Sequence, residues 1–135
     1  MKKAKFASLI LIISALILEV LPYGAVCNFM GDPEAHITVR YTFSYFDLTP
    51  FGYANFGPFL TAVLSCILLL LIAVSFFTKV NIVKPIIIIS AIAVITSLMP
   101  LLYGFNYYSA IGLFITLVLA TTTAVHLKIN NYTRK

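Results

Sequence analysis

Residues 59–77 run for their whole length without one charged side chain, and residues 85–103 do the same. A run of about 20 apolar residues, rising 1.5 Å per residue, spans a hydrocarbon core of roughly 30 Å. Composition decides what such runs mean here. The 135 residues are 61% hydrophobic and 10% charged, with a mean hydropathy of +1.05, whereas a soluble chain carries roughly 25% charged residues to coat its surface. That balance excludes an ordinary soluble domain. Two further runs complete the pattern: residues 6–26, interrupted by Glu19, and residues 110–127, which contain His126. The expectation is an all-α integral membrane protein, a single domain over residues 1–135, built as a four-transmembrane-helix bundle.

The punctuation between runs agrees with that count. Gly57-Pro58 opens the second span, where proline is harmless because a first-turn N–H has no helical partner. A polar turn over residues 78–84 carries Lys79 and Lys84, Pro85 starts the third span, and Pro100 interrupts it. Residues 104–109 form a short aromatic turn, and the tail from Lys128 is polar and basic. The basic start followed by an apolar run also has the form of a signal peptide. A cut after Ala25, however, puts Tyr23 where a small residue is wanted, and a lipoprotein cut at Cys27 meets Val26. An uncleaved helix is expected.

The net charge of +5 comes from sparse basic residues flanking the apolar runs, which read as topology signals and not as a nucleic-acid surface. With the N-terminus cytoplasmic, Lys2, Lys3, Lys5, Lys79, Lys84, Lys128, Arg134 and Lys135 all lie inside and only Arg40 lies outside. The expected localisation is therefore the cell membrane, with both termini cytoplasmic. Tyr23, Tyr103, Tyr107 and Tyr108 then form an aromatic belt at the outer interface. The expected partners are the lipid bilayer and either further copies of the chain or a larger membrane protein.

The loop over residues 27–58 is long for a structureless connection and is expected to form an extracytoplasmic cap. Within it, residues 41–59 include eight aromatics: Tyr41, Phe43, Tyr45, Phe46, Phe51, Tyr53, Phe56 and Phe59. Gly31-Asp32-Pro33 reads as a turn. Over residues 38–45, Val39, Tyr41, Phe43 and Tyr45 alternate with Thr38, Arg40, Thr42 and Ser44, the period of a strand with one apolar face. A lone strand leaves its edges unpaired, so it calls for a hairpin partner or a seat on the helix ends. Asp47-Leu-Thr49-Pro50 then resembles a helix start, with Thr49 as the cap and a short interfacial helix over residues 50–55 that includes Tyr53.

Glu19 is the sharpest single position. An ionised side chain inside a membrane is costly, so it is expected to face the bundle or water. One reading is a proton- or cation-coupled site. The other, favoured by the nearby proline, is a structural carboxyl bonding a tyrosine, a serine or backbone freed by Pro22. The first and third runs also share a pattern, with Ser14-Ala15 and Ser90-Ala91, then a proline, then Tyr-Gly. A duplicated helical hairpin would make Ser97 the counterpart of Glu19, so the candidate polar site is Glu19, Ser97, Tyr23 and Tyr103. An acidic residue in the first helix of a small four-helix chain resembles the small multidrug transporters in that one feature; the long outer loop departs from their short ones.

Remaining polar residues have plain readings. Intramembrane hydroxyls commonly bond their own helix, although Thr121, Thr122 and Thr123 also suit a polar pocket. His126 beside Lys128 reads as an interfacial anchor. His36 with Asp32 and Glu34 is too sparse a ligand set for a metal, and Cys27 and Cys66 fall at different depths, which disfavours a bridge. No catalytic constellation and no cofactor motif appears. The expected function is a non-enzymatic membrane accessory or interaction protein, with a small transporter or channel-like subunit using Glu19 as the alternative.

Overall fold

The computed structural model describes residues 2–32, 34–53, 55–78 and 80–133. Pro33 of the expected turn, the topology signals Lys79, Arg134 and Lys135, and the side chain of Tyr53 lie outside what is described. Four long helices, α1 (Lys2–Val20), α3 (Gly57–Phe77), α4 (Val83–Leu98) and α5 (Ala110–Thr133), form the body. Between α1 and α3 stand the strands β1 (Ala25–Met30) and β2 (Thr38–Phe43) and the short helix α2 (Leu48–Tyr53). The chain is mostly helical with one small sheet.

Helix α1 packs on α3 and α5, and α4 packs on the same two, so the four make a closed square. Long-range bonds show that neighbours run antiparallel. Lys5 at the start of α1 donates to the Ser75 carbonyl near the end of α3, while Ser65, nearer the start of α3, donates to Glu19 near the end of α1. Thr123 and Ser90 join α5 to α4 toward the lysine end, and Ser97 and Thr116 join them toward the hairpin end.

The first span corrects the expectation of a helix over residues 6–26, because α1 stops at Val20. Pro22 has no N–H to offer the carbonyl of Leu18, and it disfavours helical geometry at Leu21. The Leu21 N–H closes a tighter turn onto that carbonyl instead, at 3.3 Å. The apolar residues beyond the break form β1, the hairpin partner that the strand pattern required. Its register runs antiparallel from Ala25 opposite Phe43 to Met30 opposite Thr38. Ala25, Val26 and Cys27 are buried at the bundle end, whereas the far end of the hairpin stands clear.

A second correction concerns the cap. Helix α2 begins at Leu48 and not at Pro50, and Asp47 caps it: the carboxylate Oδ1 accepts the Thr49 N–H at 2.8 Å. Thr49 is already inside the first turn. The apolar face of β2 is likewise less buried than its alternation implies. Val39 and Tyr41 are exposed and Phe43 is half-buried, leaving Tyr45, just past the strand, fully enclosed.

Helix α3 starts at Gly57-Pro58 as read from sequence. At Pro100 the third run changes from α4 into a 3-10 segment, Met99–Tyr103, and Gly104 takes φ +121°, which suits a residue without Cβ. Ser109 caps α5 by accepting the Gly112 N–H at 2.8 Å. Helix α5 then continues to Thr133, so Lys128 and the residues after it up to Thr133 are helical and not a loose tail. Three segments, Gly57–Phe77, Val83–Tyr103 and Ala110–Thr133, are long and apolar enough to cross a membrane. Helix α1 has 19 residues but carries Lys2, Lys3, Lys5 and Glu19 among them.

Candidate functional site

Glu19 is fully buried, and its carboxyl faces α3. Ser65 Oγ donates to Oε1 at 2.7 Å, while Oε2 is buried without a hydrogen-bond partner. The bond belongs to a set that joins the helices pair by pair. Thr61 of α3 meets Thr96 of α4 at 2.8 Å, Oγ1 to Oγ1. Ser97 of α4 meets Thr116 of α5 at 2.8 Å, and Thr116 also meets the Tyr108 hydroxyl at 2.6 Å. The square closes through Ser109, whose hydroxyl donates to the Gly24 carbonyl just beyond α1.

Tyr45 seals the hairpin end of this set. Its N–H donates to the Glu19 carbonyl at 2.9 Å, supplying the partner that the broken helix no longer provides. Its ring lies against Gly24 so closely that a Cβ there would stand 2.8 Å from Cδ1. A Cβ at Gly112 would stand 3.1 Å from its hydroxyl. Two glycines on the α1 and α5 sides thus make the slot the ring occupies. Burial pushes the Tyr45 phenol well above its ordinary pKa, with Tyr108 and Glu19 adding to the effect, and burial raises Tyr108 as well. Both therefore remain neutral hydroxyls across the physiological range.

The structure divides the residues that the sequence had grouped. Glu19 and Ser97 each take part in a bond between paired helices, to Ser65 and Thr116 respectively, which are the equivalent hairpin bonds if α1–α3 and α4–α5 are counterparts. Tyr23 and Tyr103 are each about half exposed, and Tyr103 sets its ring 6.2 Å from that of Tyr107. They belong to the rim. Of the cap residues, Tyr45 docks into the bundle and Pro50 is buried at the base of α2. Phe43 leans on the core, Tyr41 packs edge-on against Phe29 at 5.6 Å, and Thr49 is exposed. Asp47 sits at the surface, and the Thr49 hydrogen bonds hold its carboxyl below the usual carboxylate range.

Sequence reading missed Ser65, Thr61, Thr96, Thr116 and Tyr108 as partners in bonds between helices, because the first four are ordinary intrahelical hydroxyls when taken alone and Tyr108 reads as one more interfacial aromatic. It also placed His126 at an interface. The side chain is instead buried, with Nδ1 3.1 Å from the Thr122 carbonyl. Thr121, Thr122 and Thr123 do not share a pocket: Thr121 is exposed, Thr122 is buried, and Thr123 bonds Ser90. Cys27 is a buried free thiol with its pKa raised by burial, and Cys66 is free and exposed. Asn55 lines a small cavity of about 120 Å³ beside Pro50 and Cys27, and its buried Nδ2 has no partner.

Comparison of the chain with protein families, with curated proteins and with solved structures finds no match. The functional reading rests on the arrangement itself.

Proposed function

We propose that this chain is a four-span integral membrane protein of the cell membrane, with both ends cytoplasmic, the hairpin outside, and a non-catalytic accessory or interaction role. The observation that carries the reading is an inverted distribution of polarity. Ser8, Glu19, Thr61, Ser65, Ser90, Ser97 and Thr122 are 0% exposed, while Ile17 is 61%, Leu70 65%, Ile88 59%, Ile95 65% and Leu117 53% exposed. Soluble monomers rarely leave apolar patches beyond a few hundred Å², and here apolar side chains face outward along all four helices. Hydrocarbon removes that cost, and the hydroxyls of Thr61, Ser65, Ser90 and Ser97 then act as the polar ties typical between membrane helices.

Helix α1 joins the other three on this reading. Its 19 residues span about 28 Å, its lysines cluster at one end where ammonium groups reach the interface, and Glu19 faces inward. Of the described lysines and arginines, Lys2, Lys3, Lys5, Lys84 and Lys128 gather at the end away from the hairpin and Arg40 stands on the hairpin, in keeping with the positive-inside rule. The interaction role is supported by the outward hairpin, whose Met30 is 78%, Ile37 55% and Tyr41 53% exposed. Apolar surface on an element outside the spans suits a partner. The network hydroxyls bond one another and their own helices, which suits holding helices together.

Extraction of membranes with alkaline carbonate tests the first claim. The chain is expected to stay in the pellet and leave it only with detergent; recovery in the aqueous supernatant refutes the reading. A second reading, a proton- or cation-coupled transporter subunit, is favoured by the unpartnered Oε2 of Glu19. Flux in proteoliposomes that Glu19→Gln abolishes would select it over the first.

A further inference from the structure

The lysine end of the bundle holds a cleft of about 760 Å³ between the start of α1 and the end of α3. Lys2, Lys3 and Lys5 contribute to its lining, together with Phe6, Phe76 and Thr78. The hydroxyl of Thr78 is spent on the Val74 carbonyl, and that of neighbouring Ser75 on the Ile72 carbonyl. The side-chain donors left are therefore ammonium groups. Lys5 uses one N–H on the Ser75 carbonyl at 2.7 Å, which leaves it two and fixes its position against α3.

Among the described residues, no side-chain carboxylate is near enough to neutralise these charges. The four acids are Glu19, Asp32, Glu34 and Asp47. The last three belong to the hairpin segment at the opposite end, and Glu19 stands fourteen residues along α1 from Lys5, about 21 Å away. The aromatic part of the cleft faces outward, with Phe6 59% and Phe76 41% exposed. Three cations above an exposed apolar wall complement a ligand that is anionic at one end and hydrocarbon at the other.

We propose that the cleft between α1 and α3 binds one anionic phospholipid, its phosphate on Lys2, Lys3 and Lys5 and its acyl chains against Phe6 and Phe76. This rests on the membrane reading above. A cleft of about 550 Å³ on the other side of α1 supplies an internal control. It is lined by Ala4, Ala7, Lys128 and Tyr132 among others, with Lys128 the one lysine among the described residues that line it.

The test uses the full chain purified in mild detergent, titrated separately with phosphatidylglycerol and phosphatidylcholine of the same acyl chains, with bound lipid counted by native mass spectrometry. One phosphatidylglycerol is expected to be retained well above phosphatidylcholine, and the preference is expected to shrink between 0.15 M and 1 M salt. Each lysine-to-glutamine change in the cleft is expected to weaken retention about fivefold, so that K2Q/K3Q/K5Q removes the preference while K128Q leaves it intact. Equal retention of the two lipids by the unmodified chain overturns the proposal without recourse to any variant. So does a preference that K128Q abolishes and the triple change spares. Inorganic phosphate that displaces the lipid at millimolar concentration would instead mark a soluble-anion site and refute the lipid assignment. Failure of the membrane reading shows separately, as a chain that carbonate extracts.

Discussion

The N–H of Tyr45 donates to the carbonyl of Glu19 at 2.9 Å, joining the hairpin segment to the last turn of α1. In an unbroken helix that carbonyl would take the N–H of Tyr23, but α1 ends at Val20, ahead of Pro22. The hairpin thus completes the helix that proline cut short, and in doing so brings the Tyr45 ring into the slot between Gly24 and Gly112. The same residue whose carboxyl ties α1 to α3 through Ser65 holds the cap through its backbone.

Tyr45→Ala should therefore loosen the cap as well as the core. Removing a fully buried aromatic costs about 3–5 kcal/mol, and the backbone bond to Glu19 loses its anchor. Thermal unfolding in detergent, together with hydrogen exchange over residues 38–53, should show a lower midpoint and lost protection in that segment. Tyr45→Phe keeps the ring and should stay close to the unmodified protein. Unchanged exchange in Tyr45→Ala would mean that the ring does not hold the hairpin.

Gly24→Ala should destabilise by about 1–3 kcal/mol, the usual cost of an added methyl in a packed site, because its Cβ would stand 2.8 Å from Tyr45 Cδ1. The cost should largely vanish when Tyr45→Ala is already present. A double-mutant cycle in detergent unfolding measures that coupling, and additive effects would contradict the slot. At Gly57 the obstacle is backbone, the Thr96 carbonyl at 2.6 Å, so no side-chain truncation should rescue Gly57→Ala.

Ser65→Ala should cost about 1–3 kcal/mol, because it would leave the second oxygen of a buried carboxyl unpartnered as well. Glu19→Gln should cost less, since the amide oxygen still accepts from Ser65 Oγ in the geometry now seen at 2.7 Å. Unfolding midpoints of the two variants decide the order. The reverse order would show that the charge of Glu19, and not its hydrogen bond, matters to the fold.

Asp47 should make α2 sensitive to acid. Its carboxyl lies below the usual range because it accepts the Thr49 hydrogen bonds, so the cap is at full strength above the ordinary carboxylate pKa. That strength is lost as pH falls through the lowered folded value. The group is at the surface, so the effect stays local, at about 0.5–1 kcal/mol. Exchange protection of residues 48–53, corrected for intrinsic rates, should fall in acid. Asp47→Ala should lack that protection already at neutral pH, and equal protection in the two proteins would refute the cap.

Much of the helical body was legible in the sequence, and the reasons are local. Gly57-Pro58 and Pro100 act through their own backbone geometry, so the opening of α3 and the break after α4 follow directly. The strand over residues 38–43 was visible in its alternation. Its partner was not, because Ala25, Val26 and Cys27 are as apolar in a buried strand as in the end of a helix, and hydropathy does not distinguish the two. The cap of α2 passed from Thr49 to Asp47 because either side chain can satisfy a first-turn N–H. Glu19 stood out by its charge. Its partner Ser65 and the plug Tyr45 did not, since one is a hydroxyl among many and the other one of eight aromatics, and only packing selects them.

A four-span chain with its lysines inside and its hairpin outside is tested by single-cysteine labelling in intact cells. Cys27 is buried and Cys66 lies on α3, so both are first replaced by serine. Cysteines are then placed one at a time at the exposed positions Asp32, Asn106 and Lys128. A membrane-impermeant maleimide should label the first two from outside, and Lys128→Cys only after the membrane is opened. Labelling of Lys128→Cys in intact cells, with Asp32→Cys and Asn106→Cys protected, would contradict the account.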